Sequence, residues 1–185
     1  MITIKNLSFA YDKNTVIRNF SECFKKGERV CIKGESGKGK TTLLRLICGL
    51  EKPESGKISV SGGDKIGVVF QSDVLLPWKT AFENVKAVSD KVTAEKWLKA
   101  FFLGDSLNKY PSELSGGMCH KMALARAVAF EPDILILDEA FKGLDPALKS
   151  GIMDLLKEHF SNRLVIFTSH DETEVEKFAT RVIEL

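Results

Sequence analysis

The stretch KGESGKGKTTL at positions 33–43 gathers glycines, lysines and hydroxyl side chains at a spacing suited to holding phosphate. Gly34-x-x-x-x-Gly39-Lys40-Thr41 fits the phosphate-binding loop pattern, in which Lys and then a hydroxyl residue follow the last glycine directly. That selects Lys40 to reach the outer phosphates and leaves the Lys38 side chain in solvent. Across Gly34, Glu35, Ser36, Gly37, Lys38, Gly39, Lys40, Thr41 and Thr42 the backbone can cradle phosphates, helped by the dipole of the helix that follows. The Thr41 hydroxyl can ligate Mg²⁺. A glycine turn capped by Thr41 is the plain structural alternative. The flanks weigh against it, because RVCIK reads as a strand before the loop and TTLLRLICGL as a helix after it, with Leu43, Leu46, Ile47 and Leu50 at 3.6-type spacing.

Phosphoryl chemistry built this way also needs an acidic partner. DILILDE supplies a buried apolar strand ending in Asp138 and Glu139. Side chains alternate along a strand, so one carboxylate can face Mg²⁺ while the other faces a water attacking the γ-phosphate. Asp138 is the expected metal partner and Glu139 the expected general base, although spacing alone does not decide between them. A strand that simply exits into a polar loop would look the same in isolation.

These groups require a scaffold. Strand-like runs stand at ITIKNLSFAY, RVCIKG, KISVSG, IGVVFQ, DILILD, RLVIFTS and RVIEL. Helical patterns separate them: Ala94, Trp97, Leu98, Phe101 and Phe102 form one apolar face, Gly116 to about Phe130 forms a long helix, and Pro146 opens another that runs to about Phe160. Strands alternating with helices predict a largely parallel sheet covered on both faces. From about Ser72 to Ala129 no strand pattern is visible, which predicts an inserted helical subdomain.

The 185 residues suit one domain with one substantial core. A net charge of +2, from 27 basic and 25 acidic residues without a long block of either sign, offers no electrostatic case for nucleic acid. No run approaches the roughly 20 apolar residues that span a bilayer, and MITIKNLSF lacks the apolar stretch of a signal peptide, so a cytosolic chain is expected. Cys23, Cys31, Cys48 and Cys119 lack C-x-x-C pairing and read as reduced thiols. His120 and His159 match no motif and are expected on the surface or on helix flanks.

Taken together, the motifs resemble the ATP-binding cassette, the ATPase subunit of ABC transporters, nearly end to end. Gln71, closing IGVVFQ, resembles the Q-loop glutamine, which implies that it senses Mg²⁺ and the attacking water. YPSELSGGM resembles the ABC signature, implying that Ser115, Gly116 and Gly117 contact the γ-phosphate of ATP held by the opposite subunit. Alone, Ser115 would read as an ordinary helix cap. FKGLD resembles the D-loop, with Asp145 at a dimer interface, and FTSHD the H-loop, with His170 on the γ-phosphate. Tyr11 resembles the aromatic that stacks on adenine; packing at a strand edge is its alternative.

The resemblance implies an α/β P-loop NTPase fold: a mainly parallel sheet flanked by helices, N-terminal antiparallel strands and an inserted helical subdomain. It implies one domain over 1–185, with a nucleotide-binding core at 1–71 and 129–185 and the helical subdomain at 72–128. Lys40, Gln71, Glu139 and His170 are the implied catalytic set, and Thr41, Gln71 and Asp138 the implied Mg²⁺ ligands. ATP, a second cassette (a homodimer is expected) and a transmembrane permease follow as partners, with the chain peripheral on the inner face of the cell membrane. VLLPWKTAFENV is similar to the matching stretch of nitrate, sulfonate and taurine-type importer ATPases, near the groove that docks a permease helix. Trp78 either serves that groove or packs inside the helical subdomain.

Three positions depart from the family pattern: Met118 replaces Gln in the signature, Ala140 a Pro after the acidic pair, and Gly143 an Ala of the D-loop. Lys40 and Gln71 are only 31 positions apart, a compact spacing, and with the sequence ending at RVIEL no regulatory C-terminal domain is expected. Two other functions fit less well: a soluble cassette acting on nucleic acid or ribosomes, and a non-catalytic nucleotide-binding regulator. Neither coiled coil, second cassette nor basic block supports the first, and retention of Lys40, Asp138, Glu139 and His170 argues against the second.

Overall fold

The computed structural model describes residues 1–185 except Lys13, Gly62 and Asp73. Two sheets organise it. β1 (Ile2–Tyr11), β2 (Asn14–Phe24) and β4 (Ser55–Val60) form an antiparallel sheet in the order β2-β1-β4. β3 (Arg29–Lys33), β5 (Ile66–Val69), β6 (Ile134–Asp138), β7 (Leu164–Thr168) and β8 (Arg181–Glu184) form the other, in the order β5-β6-β7-β3-β8, every pairing parallel.

Alternation along the central strands divides the interior in two. Val30, Ile32, Ile134, Ile136, Leu164 and Ile166 face α1 (Lys40–Ile47) and the antiparallel sheet, joining Leu43, Leu44 and Leu46 of the helix and Ile2, Ile4 and Leu7 of β1. Their neighbours Cys31, Leu135, Leu137, Val165 and Phe167 face the opposite way, into the second cluster. There they meet α4 (Gly116–Ala129), α5 (Pro146–His159) and α6 (Glu172–Phe178), with α2 (Ala81–Lys86) and α3 (Lys91–Ala100) packed on α4. All five residues of β6 and of β7 are buried, as strands covered on both faces require.

The turns and helix starts of this layering are set by local chemistry. Gly39 precedes α1 with φ 93°, in the left-handed region, and a Cβ there would lie 2.5 Å from Val16 Cγ1. Only glycine fits where the loop passes β2 so closely. Ser115 caps α4 by accepting from the Met118 N–H at 3.3 Å, and Asp145 caps α5 by accepting from Ala147 and Leu148. Among the described residues no helix is long and apolar enough to cross a membrane.

Several expectations need correction. β2 reads NTVIRNFSECF, and its polar, mostly solvated face together with register shifts against β1 hides the period-2 pattern. α2 and α6 are too short, at six and seven residues, for periodicity to show, although Thr80 and Glu83 spell a capping box before α2. Phe102 does not share the apolar face of α3: it follows the helix with φ 59° and is exposed. His120 is neither surface nor flank; it is buried on α4 and its Nε2 meets the Ala140 carbonyl oxygen. Trp78 is 71% exposed, which sets aside packing inside the helices.

Candidate functional site

The parallel strands end together, and their C-terminal ends bring the glycine loop, Gln71, the carboxylate pair and His170 to one place. A cavity of about 290 Å³ is lined by Tyr11, Val16, Ser36, Gly37, Gly39, Lys40, Thr41, Thr42, Gln71, Asp138, Glu139 and His170. Gly34, Glu35 and Lys38 line an adjoining cavity with His170, and the Lys38 side chain is exposed, 3.8 Å from Glu35. Ser115, Gly116 and Gly117 are not among the residues lining the 290 Å³ cavity; they lie exposed at the start of α4.

Lys40 is the buried cation of the loop. Its Nζ donates to the carbonyl oxygens of Gly34 at 2.8 Å and Glu35 at 3.0 Å, so the loop itself holds the ammonium over the cavity. Directly after it, the Thr41 hydroxyl donates to Asp138 Oδ2 at 2.7 Å. Asp138 continues the face of Ile134 and Ile136, which is why it meets α1. Its other oxygen, Oδ1, accepts from the Thr168 hydroxyl at 2.7 Å, and that hydroxyl accepts in turn from the Glu139 N–H at 2.9 Å. The carboxylate is 2% exposed, fully partnered, and built of hard oxygen donors beside a hydroxyl.

Glu139 turns the other way. Its φ of 51° marks a left-handed conformation at the strand end, a strained one for a side chain that is not glycine. Its Oε2 accepts from Gln71 Nε2 at 3.4 Å and from Lys142 Nζ at 3.0 Å, while His170 Nε2 stands 3.4 Å from Oε1. Thus the strand end separates the carboxylates: Asp138 toward Thr41, Glu139 toward Gln71 and His170.

His170 is held by its neighbours. Ser169 Oγ donates to Glu174 Oε2 at 2.5 Å and accepts from the Asp171 N–H at 3.0 Å. Lys149 of α5 ties the same turn down, reaching Asp171 Oδ2 at 3.1 Å and Glu174. The Thr173 hydroxyl, and then Lys149, hold the Asp171 carboxyl down at about 2. Tyr11 stands at the cavity edge with its ring edge-on to Phe9 at 4.8 Å and its hydroxyl 3.4 Å from Glu51.

Sequence reasoning missed three contributors: Thr168, Lys142 and Val16. Thr168 had a signal, a hydroxyl residue closing the otherwise apolar strand LVIFT two positions before His170. The other two had none, since only folding carries Lys142 across its turn and β2 over the loop.

A family profile described as "ABC transporter" matches residues 17–142, more than half the chain. The chain belongs to the ABC transporter family. The cassette is 34% identical to the Ergothioneine transport ATP-binding protein EgtV of Helicobacter pylori (strain G27), over the whole of this chain and 97% of that protein. It is 36% identical to the Aliphatic sulfonates import ATP-binding protein SsuB of Zymomonas mobilis subsp. mobilis, over 92% of this chain and 75% of that one. Among solved structures, a dimeric ATP-binding cassette in a post-hydrolysis state bound to ADP and Pi superposes with a TM-score of 0.90 at 32% identity, covering this whole chain and 94% of the other. The expected P-loop NTPase fold and ATPase family are therefore correct. The cassette binds and hydrolyses ATP as a transport ATPase, and the alternatives of a nucleic-acid-directed ATPase or a non-catalytic regulator are set aside.

Proposed function

We propose that the cassette hydrolyses ATP as one half of a head-to-tail pair and thereby drives a separate transmembrane permease that imports a small solute. The observation that carries this reading is the unbroken hydrogen-bonded chain from Thr41 through Asp138 and Thr168 to the Glu139 N–H, at the floor of the phosphate cavity. It couples the loop that binds phosphate to the residue that would activate water.

In this reading the loop N–H groups and Lys40 bind the phosphates, and the Tyr11 ring offers a face to adenine. Thr41, Asp138 and the Gln71 amide suit Mg²⁺, which takes few protein ligands and leaves the rest to phosphate and water. Bound there, the ion would neutralise charge on the β- and γ-phosphate oxygens. Glu139 accepts the proton of the attacking water as general base, with Gln71 and His170 orienting water and γ-phosphate. Ser115, Gly116 and Gly117, exposed on their own chain, would complete the site of the opposite one. Contacts that only ATP supplies would favour the closed pair, and hydrolysis would reopen it.

Residues 72–128 serve as a helical arm inserted into the nucleotide-binding core of 1–71 and 129–185. The exposure of Trp78 supports a permease contact there, and the cassette would work at the inner face of the cell membrane through that contact. The names of two relatives, an ergothioneine transport and an aliphatic sulfonates import ATP-binding protein, support a small solute as cargo.

Size-exclusion chromatography of Glu139→Gln with ATP–Mg²⁺ and with ADP, beside turnover of the unmodified chain, tests the reading. A dimer seen only with ATP, with turnover abolished, is expected. Brisk turnover by Glu139→Gln would overturn the role of Glu139, and a persistent monomer would overturn the self-complementary pair.

A further inference from the structure

Glu139 has one carboxylate and three neighbours competing for it. Gln71 and His170 both stand at 3.4 Å, whereas the Lys142 ammonium is in direct contact with Oε2 at 3.0 Å. The turn between β6 and α5 brings it there: the Lys142 N–H donates to the Glu139 carbonyl at 3.1 Å, folding the side chain back over the strand end.

The turn is anchored while the side chain is not. Phe141 is buried beside Lys142, with its ring 5.5 Å from Phe178 and 6.5 Å from Phe167. Ala140 is buried too, its carbonyl against His120, and Gly143 completes the turn in a left-handed conformation at φ 75°. By contrast the Lys142 side chain is 69% exposed, against 18% for Glu139. A fixed backbone carrying a solvated ammonium makes a contact that can open without moving the chain.

We propose that Lys142 is a positioning residue that latches Glu139, occupying Oε2, one of the two oxygens able to take a proton from water, and swinging into solvent before hydrolysis. This rests on Glu139 being the general base. A base must have a free lone pair within hydrogen-bond reach of the proton it takes, so the latched carboxylate is less available. An exposed ion pair is weak, so the latch is a brake of roughly two- to five-fold, and salt loosens it by screening.

Steady-state ATP turnover with Mg²⁺ tests it on the full chain and on Lys142→Ala, Lys142→Arg and Glu139→Gln, each at low and at raised salt. Lys142→Ala is expected to raise kcat roughly two- to five-fold at low salt with KM for ATP unchanged, while Lys142→Arg stays near the unmodified chain. Raised salt should bring the unmodified chain toward Lys142→Ala. If Glu139→Gln is inactive but Lys142→Ala leaves kcat equal or lower, the latch is wrong and the base stands. An equal rise in Lys142→Ala and Lys142→Arg would also overturn it, since charge would then be irrelevant. Brisk turnover by Glu139→Gln would remove both.

Discussion

Thr168 shows how much one hydroxyl can govern. It donates to Asp138 and accepts from the Glu139 N–H, so it fixes the relative placement of the two carboxylates. Thr168→Val keeps the shape and strands both partners, at a cost of about 1–3 kcal/mol for a buried polar group left alone. We expect a lower unfolding midpoint in urea and turnover reduced roughly ten- to a hundred-fold by misplacement, with ATP binding largely kept. Unchanged turnover would show that the carboxylates do not depend on it. Gly39 is limited twice, by its positive φ and by the 2.5 Å approach of a Cβ to Val16. Gly39→Ala should therefore cost about 1–3 kcal/mol in thermal unfolding, and adding Val16→Ala should recover only the steric part. Full recovery in that pair would mean that backbone strain contributes nothing.

Between elements, the joint of α3 and α5 carries a pH dependence. His159 of α5 packs edge-on against Trp97 of α3 with ring centroids 4.6 Å apart, and its Nε2 stands 3.1 Å from Glu131. Burial pushes its pKa below the ordinary 6.5, with Arg163 and Lys96 adding to the fall and Glu131 opposing it. The folded state thus prefers the neutral ring. Its contribution is present above the ordinary pKa and is lost as pH falls through the lowered one. The melting temperature should decline from about pH 7 to about pH 5, and His159→Gln should flatten that slope relative to the unmodified chain. Parallel slopes would exclude the histidine as its source. The joint was invisible in sequence because Trp97 and His159 lie on separate helices, each with only its own periodicity to display. β2 escaped for a related reason: a strand with one solvated face and a shifted register keeps too little alternation to be read.

At the scale of the whole molecule, the proposed head-to-tail pairing gives each chain half of two sites. The phosphate loop lines the cavity, whereas Ser115, Gly116 and Gly117 lie exposed outside it. Lys40→Ala and Ser115→Arg should each be inactive alone, the first for want of ATP binding and the second for want of a signature. Mixed in equal amounts they should recover roughly a quarter of the unmodified turnover, because half of the dimers are mixed and each has one complete site of two. No recovery on mixing would argue that each chain works with its own signature. The sequence by itself determined the chemistry that depends on neighbours along the chain: a glycine loop between strand and helix, a capped signature helix, a carboxylate pair closing a buried strand. Local spacing suffices there, since backbone geometry fixes what residues a few positions apart can share. Only the tertiary structure decided which carboxylate faces which partner, because that follows from the layer each strand face meets: Asp138 lies on the α1 side with Thr41, and Glu139 turns to Gln71, Lys142 and His170. The burial of His120 and the exposure of Trp78 were settled the same way, by what packs against each side chain rather than by its type.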